Sequence, residues 1–347
     1  SFARAEPGKI FHEIRPGSEA AAMQENPFAG YYGGSDTTAL FPILAKQYYD
    51  RSEDSEFLYQ IWPNLQRALE WVVDNMERHG GYVRYRYDPE GLVHQGWKDS
   101  GSCIFHANAP EELPPDPIAL CEIQAYAYGA LNAGGFFYSL FGDPQKSADY
   151  CARARDLFKR FNLDFWLEDL ATYAIALDGY DRQCRLQSSN AGHAFLTGLV
   201  PHERAQALAD TLLHPSSFSG FGIRTLSDGP GYDPLSYHRG SIWPHDNALI
   251  AKGMAEYGLM REIEEILMGL LHATADNPRL PELFSGAERV PGAPKEPYLS
   301  ACSPQAWAAA APLGIISAWE KASGQSRDTC GRIFLPNGLG AVATKLR

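Results

Sequence analysis

The stretch Gly91-Leu-Val-His-Gln-Gly-Trp-Lys-Asp-Ser100 gathers an imidazole, an amide, an indole, an amine and a carboxylic acid within six residues, from His94 to Asp99. It follows Tyr82-Val-Arg-Tyr-Arg-Tyr87, whose alternation predicts a short strand. It precedes a long apolar run that predicts a helix from Pro117 to Phe141, with Pro117 in the first helical position. A loop this dense in interacting side chains, held between ordered elements, is a binding or catalytic loop.

Outward from this loop the chain reads as helices in consecutive pairs. Toward the N-terminus, Asp36 is placed to cap a helix of about 14 residues. A second helix runs from Ser55 to Arg78, with Pro63 marking a kink or a later start, and His79-Gly80-Gly81 stops it. Residues 1–34 read as irregular, punctuated by Pro7-Gly8, Pro16-Gly17 and Gly33-Gly34, with an aromatic Phe28-Ala-Gly-Tyr-Tyr32. Toward the C-terminus, helices are expected at Pro144–Phe161, from Asn190, at His202–Leu213, His245–Tyr257 and Met260–Ala275, and from Ser303 to Ala322. Tyr173–Leu177 is strand-like, and the tail from Ser323 reads as loop with a single strand. About nine helices, with long aromatic and Gly-rich loops alternating with short plain ones, predict an all-α fold: an (α/α)6 toroid with short β-hairpins in its loops. No repeat of solenoid length is present.

A net charge of −12 and the lack of a Lys/Arg-rich run argue against a nucleic-acid partner and against an anionic membrane surface. The six cysteines show no CxxC pair, which favours free thiols in a reduced, cytoplasmic protein over a disulfide scaffold. The first residues have no apolar core of a signal peptide, and Ala306–Trp319 is too short to span a bilayer. Aromatic residues make up 12% of the chain, which serves either a large core or stacking on sugar rings.

Seven clusters fall at predicted loop-to-helix junctions. They hold Tyr32 and Asp36; Trp97, Lys98 and Asp99; Glu122 and Gln124; Asn190 and His193; Trp243, His245, Asp246 and Asn247; Glu282; and Gln305 with Trp307. If every second helix starts at one face, these side chains line one cavity suited to a neutral polyhydroxylated ligand. Each has a plainer reading. Asp36, Asn190 and Asp246 suit N-caps, His193 and His245 suit structural roles, and Glu122 suits a buried ion pair. Trp62, Trp71, Trp166 and Trp319 have the spacing of core residues. Cleaving a glycosidic bond takes two carboxyl groups, and Asp99 and Glu282 are the best-placed pair. No GxSxG elbow, P-loop, helix-opening GxGxxG or HExxH is present, and His245-Asp246 lacks a second ligand pair. Neither a metal nor a cofactor is expected.

Seven segments in order carry a family resemblance: Pro7–Arg15, Tyr32–Asp36, Gln95–Ser100, Ser188–His193, Ser236–Asn247, Leu280–Gly286 and Cys302–Trp307. Together they resemble bacterial glycogen-debranching, amylo-α-1,6-glucosidase-like proteins, over about residues 6–320. The resemblance implies an (α/α)6 barrel related to processing α-glucosidases, acting with inversion in carbohydrate metabolism. It implies Asp99 as general acid and Glu282 as general base. Tyr32, Asp36, Trp97, Lys98, Gln124, Asn190, His193, Trp243, His245, Asp246, Gln305 and Trp307 would line the sugar subsites. Inversion sets the two carboxyls roughly 6.5–9.5 Å apart to admit a water. Members of that family carry an N-terminal β-rich domain and a Gly-Arg-Asp-Ser motif that this sequence lacks. The expectation is therefore a single catalytic barrel domain over 1–347, incomplete at its N-terminus and completed by a further segment or a second chain. Two alternatives stay open: a disaccharide phosphorylase on the same fold, and a carbohydrate-binding fragment without turnover.

Overall fold

The computed structural model describes residues 4–14, 30–274 and 279–324. Phe28, Cys330 and nearly all of the expected tail lie outside them. The chain forms two compact units. One comprises residues 1–166 and 174–184, and the other residues 167–173 and 185–347.

The first unit contains α1 (Thr37–Ser52), α2 (Ser55–Arg78), α3 (Cys121–Leu140) and α4 (Pro144–Asp164). Helix α3 packs against α1, α2 and α4. It is buried on most of its surface between Cys121 and Tyr138, Asn132 being exposed, because its apolar residues are not confined to one stripe. Its neighbour α4 buries only Tyr150, Ala154, Leu157 and Phe161, one face at helical spacing, and turns its charges to solvent. An aromatic core joins the helices: Trp62 of α2 packs on Phe137, Tyr138 and Phe141, with ring centroids 4.7–6.2 Å apart.

Caps fix where the helices begin. Asp36, Asp54 and Asp143 accept the backbone N–H groups of Thr37, Phe57 and Lys146. Pro144 occupies the first turn of α4, where its missing N–H breaks no bond. Asp143→Ala should therefore destabilise the protein by about 1 kcal/mol. The check is the urea midpoint, with an unchanged slope.

Three expectations are corrected here. Tyr82–Tyr87 makes only one β-bridge, Tyr85 with Ile118. On either side of Tyr85 the backbone groups bond side chains instead of a neighbouring strand. Val83 exchanges two bonds with the Gln124 amide (2.8 and 2.9 Å), and Arg84 exchanges two with Asn75 (2.9 and 3.2 Å). Helix α3 starts at Cys121 and not at Pro117, because Ala119-Leu120 pairs antiparallel with Ala176-Leu177, which pairs in turn with Gln183-Cys184. Pro63 neither starts nor ends α2, which runs unbroken through it.

The second unit contains a 3-10 helix (Ser189–Thr197), α5 (His202–Leu213), α6 (Pro244–Met254), α7 (Met260–Thr274) and α8 (Ala306–Ser323). Helix α8 starts three residues later than Ser303. Helix α6 packs against the 3-10 helix, α7 and α8. Bridges between Arg224 and Ile242, and between Ile242 and Phe284, tie the Gly-rich loop before α6 to the Glu282 segment. Eight α-helices and a nine-residue 3-10 helix thus stand, among the described residues, where about nine helices are expected. None of them is long and apolar enough to cross a membrane. The five described cysteines are free thiols.

Candidate active site

In the first unit the candidate side chains gather around the start of α1 and the loop after Arg86. Ser35 N–H donates to the Gln95 carbonyl (2.7 Å), and the Gln95 amide donates to the Arg86 carbonyl (3.0 Å). These bonds dock the Gln95–Asp99 stretch on the helix start. Tyr31 fixes the loop's other end: its hydroxyl donates to Asp88 (3.2 Å) and accepts from Leu92 N–H (2.9 Å). Asp88 is held in turn by two bonds from Arg4, at 2.6 and 2.7 Å.

Asp99 is partly buried, and its carboxyl is pushed above the ordinary aspartate value. Burial is the largest cause. The carboxylates of Asp36 and Glu13 add to it, while His12 pulls the other way. Asp36 is also raised, chiefly by burial, against the pull of His12 and of the Thr37 N–H that it caps. Asp36 is thus both the cap of α1 and part of the charge environment of Asp99. Tyr32 stands nearby on the same segment, its ring 4.2 Å from that of Phe11.

Behind this loop Lys98 and Glu122 are both fully buried. Both act on the buried Cys121 thiol, Glu122 raising it and Lys98 lowering it, although burial is its larger cause. The Lys98 amine lies 5.0 Å from the Trp97 ring centroid. Gly96 permits the approach, since a side chain there would come within 3.0 Å of a Glu122 carboxyl oxygen. Gln124 is buried and engaged at both ends of its amide, with Val83 and with the Leu120 carbonyl (3.0 Å). It staples α3 to the Tyr82–Arg84 backbone.

In the second unit a separate group surrounds Glu282. Its carboxyl oxygens accept from the Tyr237 hydroxyl (3.0 Å), the Gln305 amide (3.1 Å) and Cys302 N–H (3.2 Å). Its own N–H donates to the Cys302 carbonyl (2.9 Å). Aromatic rings pack near it, two pairs edge-on and one stacked. Tyr237 meets Trp243 at 4.9 Å, His238 lies nearly parallel to Trp243 at 5.1 Å, and His245 meets Trp307 at 4.5 Å. Trp307 is 56% exposed. Trp243 donates its indole N–H to the Tyr237 carbonyl (2.9 Å) and so holds the tyrosine that holds Glu282.

His193 and Asp246 are fully buried and paired with each other at 2.5 Å, linking the 3-10 helix to the first turn of α6. Asn190 is buried one turn before His193. Asn247 donates to the Ile223 and Trp243 carbonyls and accepts from Ile223 N–H.

The structure thus collects Tyr32, Asp36, Trp97, Lys98 and Asp99 in one unit, and Trp243, His245, Glu282, Gln305 and Trp307 in the other. His12 and Tyr237 were not singled out by sequence. Both sit inside the quoted family-like segments, but only contacts show that they act on Asp99 and Glu282. Tyr237→Phe keeps the ring packing and removes one donor to Glu282. It should lower kcat by about tenfold with little change in KM. Steady-state kinetics on any turned-over glycoside provide the check. Among the described residues no group of three His, Cys, Asp or Glu side chains is placed to hold a metal.

The fold is the all-α, (α/α)-toroid type with short hairpins, shared with solved glycoside hydrolase structures. Residues 113–288, just over half of the chain, match the mannosylglycerate hydrolase MGH1-like glycoside hydrolase domain, and the chain belongs to that family. A GH63 mannosylglycerate hydrolase from Thermus thermophilus, in complex with Tris and D-glycerate, aligns with a TM-score of 0.63 at 15% identity. The alignment covers 90% of this chain and 85% of that one. The same enzyme in complex with glucose gives 0.63 at 13% identity, over the same shares. An uncharacterized conserved protein from the same organism gives 0.56 at 16% identity, over 81% and 76% of the two chains. A sialidase aligns at a TM-score of 0.47 and 17% identity over 64% of this chain, which spans only 22% of that protein. No curated protein matches the chain in sequence. The matched family span includes Glu282 and begins after Asp99.

Proposed function

We propose that this glycoside hydrolase cleaves an α-glucoside or similar α-linked sugar with inversion, in one catalytic domain, with Asp99 as general acid and Glu282 as general base. The observation that carries the reading is the carboxyl of Asp99, shifted by burial toward its neutral, proton-bearing form. A general acid must hold a proton at working pH and give it to the leaving oxygen as the glycosidic bond breaks. Glu282 supports the second role. Three donors orient its carboxylate, as a base that takes a proton from an attacking water requires. That water then attacks the anomeric carbon opposite the leaving group, which inverts the configuration.

Sugar-binding roles are assigned to the candidate side chains of each unit. Tyr32, Trp97, Trp243, His245 and Trp307 supply faces for stacking, and Lys98, Asp36, Gln305, Asn190, His193 and Asp246 supply or support polar contacts. Gln124 supports the subsite through the backbone that it holds. An amylo-α-1,6-type glucoside belongs among the substrates on the strength of the seven sequence segments. Small hexosides of hydroxy acids belong there because the related hydrolase carries D-glycerate and glucose in its structures.

A panel of α- and β-linked glycosides, run with and without inorganic phosphate, tests this reading. Release of reducing sugar from α-linked members without phosphate is expected. Turnover confined to phosphate-containing reactions would replace hydrolysis with phosphorolysis.

A further inference from the structure

We infer that the first unit carries a phosphate-binding cleft, apart from Asp99, in which Arg160, Arg84 and Arg182 receive inorganic phosphate or a phosphate monoester. The cleft has a volume of about 630 Å³ and lies beside the C-terminal ends of α2 and α4, where Tyr82 and Gln183 also line it.

Three features make it a built site. Arg160 lies over the Tyr82 ring, 4.8 Å from its centroid, and makes no ion pair or side-chain hydrogen bond with any described residue. Its fork of donors is positioned and unspent. The chain makes way for it: Gly81 sits at φ +98°, and a Cβ there would fall 1.9 Å from the Arg160 Nη1. The ring under it is fixed by the Tyr82 hydroxyl, which donates to Asp164 at 2.7 Å.

The other two guanidiniums are anchored with donors to spare. Arg84 is 6% exposed. Its Nη1 donates to the Pro117 and Asp178 carbonyls (2.9 Å each), and its Nη2 donates to Asp181. Arg182 is held through Nε on Asp178 (2.8 Å) and lies over the Tyr180 ring, 5.4 Å from its centroid, while its terminal nitrogens make no hydrogen bond to a described residue. A planar carboxylate satisfies one such fork, whereas a tetrahedral dianion accepts from several directions, which favours phosphate. Asp164 and Asp181 oppose an anion here. Asp164 is occupied by Tyr82, and the Asp181 side chain is 75% exposed, so it has room to turn to solvent and leave the Arg84 Nη2 to the anion.

Calorimetric titration of the full chain with inorganic phosphate, then with glucose 6-phosphate, tests the site. Saturable binding of one equivalent is expected, weakened at least about tenfold in Arg160→Gln and in the solvent-facing Arg182→Gln. Turnover of a glycoside without phosphate should be the same in both variants as in the parent. Tighter binding of the ester than of phosphate would show that the cleft also holds the sugar body. No saturable binding of either anion to the parent would overturn the inference. So would binding that Arg182→Gln, and Arg160→Gln with a native circular-dichroism spectrum, leave unchanged.

Discussion

Asp99→Asn should lower kcat by about 10³-fold on glycosides with a poor leaving group, and far less on the matching α-glycosyl fluoride. The difference follows from what a general acid does. A poor leaving group departs as the alcohol, its oxygen taking a proton as the bond breaks, and asparagine has no such proton to give. Fluoride departs without that help, so most of the loss disappears. A merely structural Asp99 would cost both substrates equally. The pH profile gives a second reading of the same group. In the proposed role the neutral acid is the active form, so activity should fall as pH rises through the Asp99 pKa. That limb should lie above the usual aspartate range, because burial shifts the group upward. Asp36→Asn removes one of the charges that raise Asp99 and should move the limb down.

Glu282→Gln should also lower kcat by about 10³-fold, but on the fluoride as well as on the poor leaving group. The base acts on water, and every substrate needs that water. The amide cannot take the proton, and its NH2 would meet donors where the carboxylate now accepts three bonds. Near-parental turnover of the fluoride by this variant would remove Glu282 from the role. Asn and Gln keep the shapes of the parent residues, so ligand affinity should change little in either variant. Equilibrium titration with a slowly hydrolysed sugar measures it.

Much of the fold was legible in the sequence because its signals are local. Asp36, Asp143-Pro144 and the apolar spacing of α2 and α4 announce their helices within a few residues. The start of α3 was not legible, because Ala119-Leu120 pairs with a strand that lies after α4. The alternation of Tyr82–Tyr87 misled for a related reason. Its partners are the side chains of Asn75 and Gln124, which no strand pattern encodes. The site divides in the same way. Asp99 and Glu282 stand out as acids on aromatic loops. That Asp36 helps raise Asp99, or that Tyr237 and Gln305 both reach Glu282, depends on contacts between segments far apart in the chain.

The decisive measurement is the anomeric configuration of the first sugar released from an α-glycoside, followed by proton NMR before mutarotation. Inversion by water activated at Glu282 yields the β-anomer first. First appearance of the α-anomer would show retention, and with it a nucleophile in place of a base.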